Sequence, residues 1–153
     1  MSRQEGAVET RMKADTVAAL KAGDKRTVGA LRTIVAALKK ERIDANRTPS
    51  EADELAALGR ERKRRLEALD LYEQGRRADL ADQERFEADL IASYLPAELS
   101  DADLAALVDK AVAAVGATSP KEMGKVMAQL MPKVAGRADG RRVSDAVRAR
   151  LSG

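Results

Sequence analysis

Apolar residues recur along this chain at three- and four-residue intervals, and proline, glycine and capping pairs break the intervals into segments. Spacing of that kind gives a helix one apolar stripe. A first helix is predicted from near Arg3 to Ala22, with Val8, Met12, Val17 and Leu20 on one face and Gly23 as its C′ stop. Asp24 caps the second, whose stripe is Val28, Leu31, Val35 and Leu38. Lys39, Lys40 and Arg42 near its end suit the negative pole of the helix dipole. Asn46-Arg47-Thr48-Pro49 is a break. Thr48, with Pro49 at the first helical position and Glu51 three residues on, reads as a capping box opening a third helix. That helix carries Leu55, Leu58, Leu66, Leu69 and Tyr72, is interrupted at Arg62, and ends or kinks at Gly75. Asp79 with Asp82 opens a fourth, bearing Leu80, Leu90, Ile91, Tyr94 and Leu95, which Pro96 terminates.

Beyond Pro96 the segments shorten. Ser100 with Asp103 caps a fifth helix whose face is Leu104, Leu107, Val108, Ala111, Val112 and Val115, stopped by Gly116. Ser119-Pro120-Lys121-Glu122 is a second capping box with proline at N1, opening a sixth helix with Met123, Val126, Met127, Leu130 and Met131. Pro132 is expected to close that helix, and Asp139 to cap a seventh with Val143, Val147 and Leu151. The pattern therefore predicts an all-α protein: an N-terminal four-helix bundle over residues 1–96, then a small three-helix C-terminal tail domain over residues 97–153. The second part, about 55 residues, buries little surface alone and is expected to lean on the bundle or on a partner.

Composition supports this reading. Charged residues make up 35% of the chain, the apolar share rests on Ala, Leu and Val, and the aromatics are Tyr72, Phe86 and Tyr94. There is no cysteine and no histidine, which removes thiolate nucleophiles, sulfur metal sites, the usual general base and the commonest metal ligand. No catalytic residue, metal or cofactor is expected. No G-x-x-x-x-G-K-[ST] loop supports ATP binding. No apolar run approaches the roughly 18 residues of a membrane span, and Glu5 and Glu9 do not suit a transit peptide. A cytoplasmic protein is the expectation.

Charge sharpens the picture. From Pro120 onward there are eight Lys/Arg against three acids, a net +5 in a chain of net +3, so the first 119 residues sum to −2. The positive end contains Gly124 to Gly140, reading GKVMAQLMPKVAGRADG, followed at once by Arg141 and Arg142. Lys125, Lys133, Arg137, Arg141 and Arg142 supply charge, while Gly136 and Gly140 permit positive φ and close backbone approach, so that amides can meet phosphates. Five such cations would give binding a log–log salt slope of roughly −3.5 to −4.5. The bland alternative is a tight interhelical turn with solvated charges. Three aromatics at core positions leave no base-stacking platform, so a nucleic acid would be recognised by shape and backbone.

Other features read as structural. Arg60-Glu61-Arg62-Lys63-Arg64-Arg65 has the i,i+3 and i,i+4 spacing of a solvated helix face. Met123, Met127 and Met131 at four-residue spacing suit a core. Gly124 costs about 1 kcal/mol against alanine in a helix, which points to a close helix contact, the favoured reading, or to a ligand approaching the backbone. Asp79 with Asp82, and Asp101 with Asp103, sit at helix starts and cap rather than bind metal.

Tyr94-Leu95-Pro96 with Leu99-Ser100, then Met123-Gly124-Lys125-Val126-Met127, Leu130-Met131-Pro132-Lys133-Val134 and Gly136-Arg137-Ala138-Asp139-Gly140, resemble the GatB/YqeY family over essentially the whole chain. Arg77, Asp79 and Leu80 fit its middle motif, but Arg76 stands where the family's glycine is usual and Gly75 lies one earlier, which would shift the helix break. Ala135 replaces a common lysine and Ser144 a common asparagine; the first removes a charge from the loop and lowers the expected grip.

The resemblance implies a helical bundle with a helical tail like those ending the B subunit of tRNA-dependent amidotransferases, where the tail is associated with the body of tRNA. The catalytic cradle of that enzyme has no room in 153 residues. A tRNA-binding accessory protein is the leading expectation, with the Arg60–Arg65 run as an alternative extension of its surface. An adaptor docking an aminoacyl-tRNA synthetase or amidotransferase is the second. A carbon–nitrogen ligase with glutamine as amido donor is the third, and it has no nucleophile or base beyond ordinary Ser, Thr and Lys.

Overall fold

The structure, a computed structural model, describes residues 4–153, and the described residues form seven α-helices and one 3-10 turn, with no strand. In order they are α1 (Ala7–Lys21), α2 (Lys25–Ala45), α3 (Glu51–Gln74), α4 (Ala78–Ala92), α5 (Asp101–Val115), the 3-10 turn Pro120–Glu122, α6 (Met123–Val134) and α7 (Gly140–Ser152). Contacts divide the chain after Pro96 into two compact units. No helix among the described residues is long and apolar enough to cross a membrane.

In the first unit α1 packs on α2 and α3 on α4, around Met12, Leu31, Ile34, Leu38, Leu58 and Ile91. Ile34 joins the predicted stripe of α2 at its centre, while Val35 is half-buried. The predicted face of α1 is only half right. Val17 and Leu20 stand 52% and 58% exposed, and the inward face is Val8, Glu9 and Met12. The reason lies in α3: the Glu54 carboxylate accepts amide hydrogen bonds from Val8 (3.0 Å) and Glu9 (2.8 Å). It thus satisfies two of the free donors at the start of α1 and favours the dipole there. That anchor draws in the N-terminal half of α1. Arg3 lies outside the described residues; Gly6 is the N-cap and the helix starts at Ala7.

Two other boundaries differ from expectation. Ser50, not Thr48, caps α3: its Oγ accepts from the Asp53 amide (3.1 Å) and the Asp53 carboxylate accepts from the Ser50 amide (3.0 Å). Thr48 Oγ1 instead accepts from the Gln4 amide (3.1 Å), and Pro49 lies outside the helix. α4 ends at Ala92, where Ser93 Oγ donates to the Leu90 carbonyl (2.6 Å), so Tyr94 and Leu95 lie beyond it. At the end of α3 Gly75 has φ −83°, and Arg76 takes the left-handed conformation at φ +56°.

The second unit encloses its own core of Leu99, Leu104, Val108, Val112, Val126, Leu130, Val134, Val143, Val147 and Leu151, against which Met123, Met127 and Met131 pack. Its caps form where the sequence puts them. Ser100 accepts from the Asp103 amide (3.1 Å), Asp139 accepts from the Arg142 amide (2.9 Å), and Gly116 turns left-handed at φ +67°. Pro132 does not close α6, which continues to Val134. A proline removes one amide donor, and so near the helix end that loss is small. The turn follows at Gly136, with φ +72°.

Candidate nucleic-acid interface

The box at Ser119 opens the 3-10 turn Pro120–Glu122 rather than α6 itself, which follows at Met123. Glu122 accepts from the amides of Thr118 (2.6 Å) and Ser119 (3.3 Å), and those amides, Thr118 first, hold its carboxyl below the usual glutamate range. Beyond that turn, α6 buries Val126, Leu130 and Val134 and turns Gly124, Lys125, Ala128, Gln129, Pro132 and Lys133 to solvent. A methyl group on Gly124 would meet nothing within 4 Å, so this glycine makes no close helix contact, contrary to expectation.

The seven predicted site residues divide into different situations. Lys125, Lys133 and Arg141 are exposed and in no ion pair among the described residues. Gly136 provides the left-handed turn, but Gly140 does not: it is the first residue of α7 and takes no positive φ, although its side-chain space is open. Arg137 has an internal task. Its Nε donates to the Ala97 carbonyl (3.3 Å), and its own carbonyl accepts from the Leu99 amide (2.8 Å), tying the start of the unit to the loop. Arg142 is neutralised, with Nη2 on Asp101 (2.7 Å) and Nη1 4.0 Å from Glu98. Ala135 is buried, so this position faces inward and not onto the loop surface.

Asp101 and Asp109 of α5 are partners of two α7 arginines. Asp109 holds Arg150 (2.7 Å) as Asp101 holds Arg142, so α5 and α7 run side by side in the same direction, linked at the start and the middle of α5. Their matching eight-residue spacing was the available signal. Arg148 pairs with Asp145 (3.0 Å). Taken by unit, the lopsided charge largely disappears: residues 97–153 hold nine Lys/Arg and seven Asp/Glu, a net +2, against +1 before them. What remains is local. The exposed cations of this unit that form no salt bridge are concentrated on α6 and at the start of α7.

The other charged features sit in the first unit. The Arg60–Arg65 run is not simply solvated: Arg65 is 9% exposed and bonded to Glu61 (2.7 Å) and Glu87 (3.2 Å), while Arg60 pairs with Glu41 (2.9 Å). The acidic pairs go separate ways, Asp79 to Arg77 (3.5 Å) and Asp82 to Arg26 (2.7 Å). Arginines of the chain itself cover two of the aromatic rings, Arg11 over Tyr94 (4.7 Å) and Arg26 over Phe86 (4.1 Å). Burial, then the hydrogen bond to Asp15, pushes the Tyr94 hydroxyl well above its ordinary range.

An all-helical chain of two compact units, with one helix presenting unpaired lysines, is the class these observations define. The family model described as Yqey-like protein matches residues 9–151, and the chain belongs to that family. No curated protein matches it.

Proposed function

We propose that this protein is a non-catalytic tRNA-binding accessory protein of the cytoplasm, built as an N-terminal four-helix bundle and a three-helix tail domain that contacts RNA. The supporting observation is the solvent face of α6, whose Lys125 and Lys133, like Arg141 at the start of α7, form no salt bridge while the other α7 arginines do. The kinship of the tail to the amidotransferase B subunit belongs to the same reading. Three unpaired cations correspond to a log–log salt slope of roughly −2 to −3. Filter binding to total tRNA and to duplex DNA across a salt series tests it. The expected result is salt-sensitive tRNA binding weakened by Lys125→Glu and Lys133→Glu. No binding at low salt, or tight binding indifferent to both substitutions, overturns it.

One observation favours the adaptor reading. A cleft of about 480 Å³ lies along α5 and α7, with Leu104, Val108 and Ala146 in its lining and the Asp101–Arg142 and Asp109–Arg150 pairs at its rim. An adaptor would keep a synthetase or amidotransferase in a pull-down after RNase digestion, and an RNA-bridged complex would lose it. A carbon–nitrogen ligase activity gains no residue from the structure.

A further inference from the structure

Resting on the RNA reading above, we propose that the solvent face of α6 docks in the minor groove of an A-form RNA helix, with Gln129 addressing ribose 2′-hydroxyls between phosphate contacts from Lys125 and Lys133. The charges come first. The exposed face of α6 contains no acid, and neither lysine is in an ion pair among the described residues. The nearby Glu122 carboxylate is engaged by the Thr118 and Ser119 amides.

Spacing comes next. Lys125 and Lys133 are eight residues apart, about 12 Å along a helix axis, with Gln129 midway. Gln129 is exposed and makes no hydrogen bond among the described residues, so the fold makes no use of its amide. An amide both donates and accepts, as a 2′-hydroxyl does, whereas an ammonium only donates. Gln129 is therefore the side chain on this face suited to distinguish ribose from deoxyribose.

Shape completes the argument. Gly124, Ala128 and Pro132 stand between the longer side chains, and the space above Gly124 is open. A helix with so low a surface can approach the wide, shallow minor groove of A-form RNA, which displays 2′-hydroxyls. The B-DNA minor groove, about 6 Å wide, excludes a helix about 10 Å across.

The test is fluorescence anisotropy of the intact chain with total tRNA, a 20-base-pair RNA duplex and a DNA duplex of the same sequence, at several salt concentrations. Gln129→Leu is expected to weaken RNA-duplex binding about fivefold, the loss of one hydrogen bond, without changing DNA binding or the salt slope. Lys125→Gln is expected to weaken binding to both duplexes and to flatten the slope by about 0.7–0.9. Arg150→Gln, already neutralised by Asp109, is expected to change neither. Four outcomes overturn the groove assignment while leaving tRNA binding intact: tRNA bound but not the RNA duplex, equal affinity for both duplexes, no effect of Gln129→Leu on RNA, or an equal effect of it on both. Failure of the wild-type chain to bind tRNA at low salt overturns both readings.

Discussion

The two units of this chain handle charge in opposite ways. The first buries it. Glu9, Glu54 and Arg65 are each less than 10% exposed, and each has partners on another helix: Arg42 for Glu9, the α1 amides for Glu54, and Glu87 for Arg65. The second unit, among its described residues, buries only apolar side chains and keeps every charge at its surface. The units also treat left-handed positions differently. The first places Asn46 (φ +56°) and Arg76 (φ +56°) there besides Gly23, whereas the second uses glycine at both, Gly116 and Gly136. The first unit thus adds buried polar contacts to its apolar core, and the second rests on an apolar interior with its ion pairs confined to the surface. The proposed binding face draws on the cations of the second unit that form no salt bridge, Lys125, Lys133 and Arg141.

The largest expected effects test that contrast directly. Glu9 is fully buried, and its carboxylate takes both Nε (3.0 Å) and Nη2 (3.2 Å) of Arg42. Glu9→Ala removes that bidentate acceptor and empties a buried position, and should lower the urea midpoint more than any substitution at an exposed ion pair. In the second unit the comparable loss should come from Leu130→Ala, about 2–5 kcal/mol, through the cavity it leaves. Arg150→Ala, which breaks a half-exposed pair, should cost less than about 1 kcal/mol. If Arg150→Ala proved as damaging as Glu9→Ala, the distinction between the units would fail.

Next in size is the left-handed arginine. A non-glycine residue in that conformation costs roughly 1–2 kcal/mol, and glycine returns part of this as chain entropy. Arg76→Gly should therefore stabilise the chain by about 0.5–1 kcal/mol, measured as a higher urea midpoint. Gly136→Ala should shift the midpoint the other way.

The degree to which the sequence was legible follows the same division. Caps that bond three residues along the chain were readable at Asp24, Ser100, Ser119 and Asp139, because both partners sit in one window. The start of α3 was not. Thr48 and Ser50 both head plausible boxes, and the Gln4 amide, 44 residues away, occupies the first. Buried Glu9 and Glu54 were invisible for the same reason, since their partners lie 33 to 46 residues off. At the candidate site the basic residues were legible as a set, but not which of them were neutralised. Asp101 to Arg142 and Asp109 to Arg150 each span 41 residues, and without them α7 reads as more positive than it is.

Acid should also separate the units, with smaller effects because the groups are exposed. Asp24 (held by Thr27), Asp53 (by the Ser50 amide) and Asp79 (by Arg77) have carboxyls below the usual aspartate range in the first unit; in the second only Glu122 is lowered. A depressed carboxyl contributes stability in full above its unfolded value, and loses it as pH falls through the folded one. Asp53→Asn, which removes the titrating carboxyl, should flatten the acid limb of the first unit, and Glu122→Gln that of the second. Stability measured by urea at stepped pH checks both.

The smallest effect bears most directly on function. Asp101 is 98% exposed yet lies 2.7 Å from Arg142, so their pairing contributes little stability but cancels one positive charge on the tail. Glu98, at 4.0 Å, is too distant and too exposed to replace it fully. Asp101→Asn should leave the urea midpoint within about 0.5 kcal/mol while releasing Arg142 toward a phosphate. If RNA binds near α6 and the start of α7, tRNA affinity should then rise about threefold at low salt, and the salt slope should steepen by about 0.7–0.9. Asp109→Asn frees an arginine at the far end of α7 and should change the slope less. A gain from Asp109→Asn equal to that from Asp101→Asn would mean that the RNA senses the overall charge of the tail rather than the face of α6.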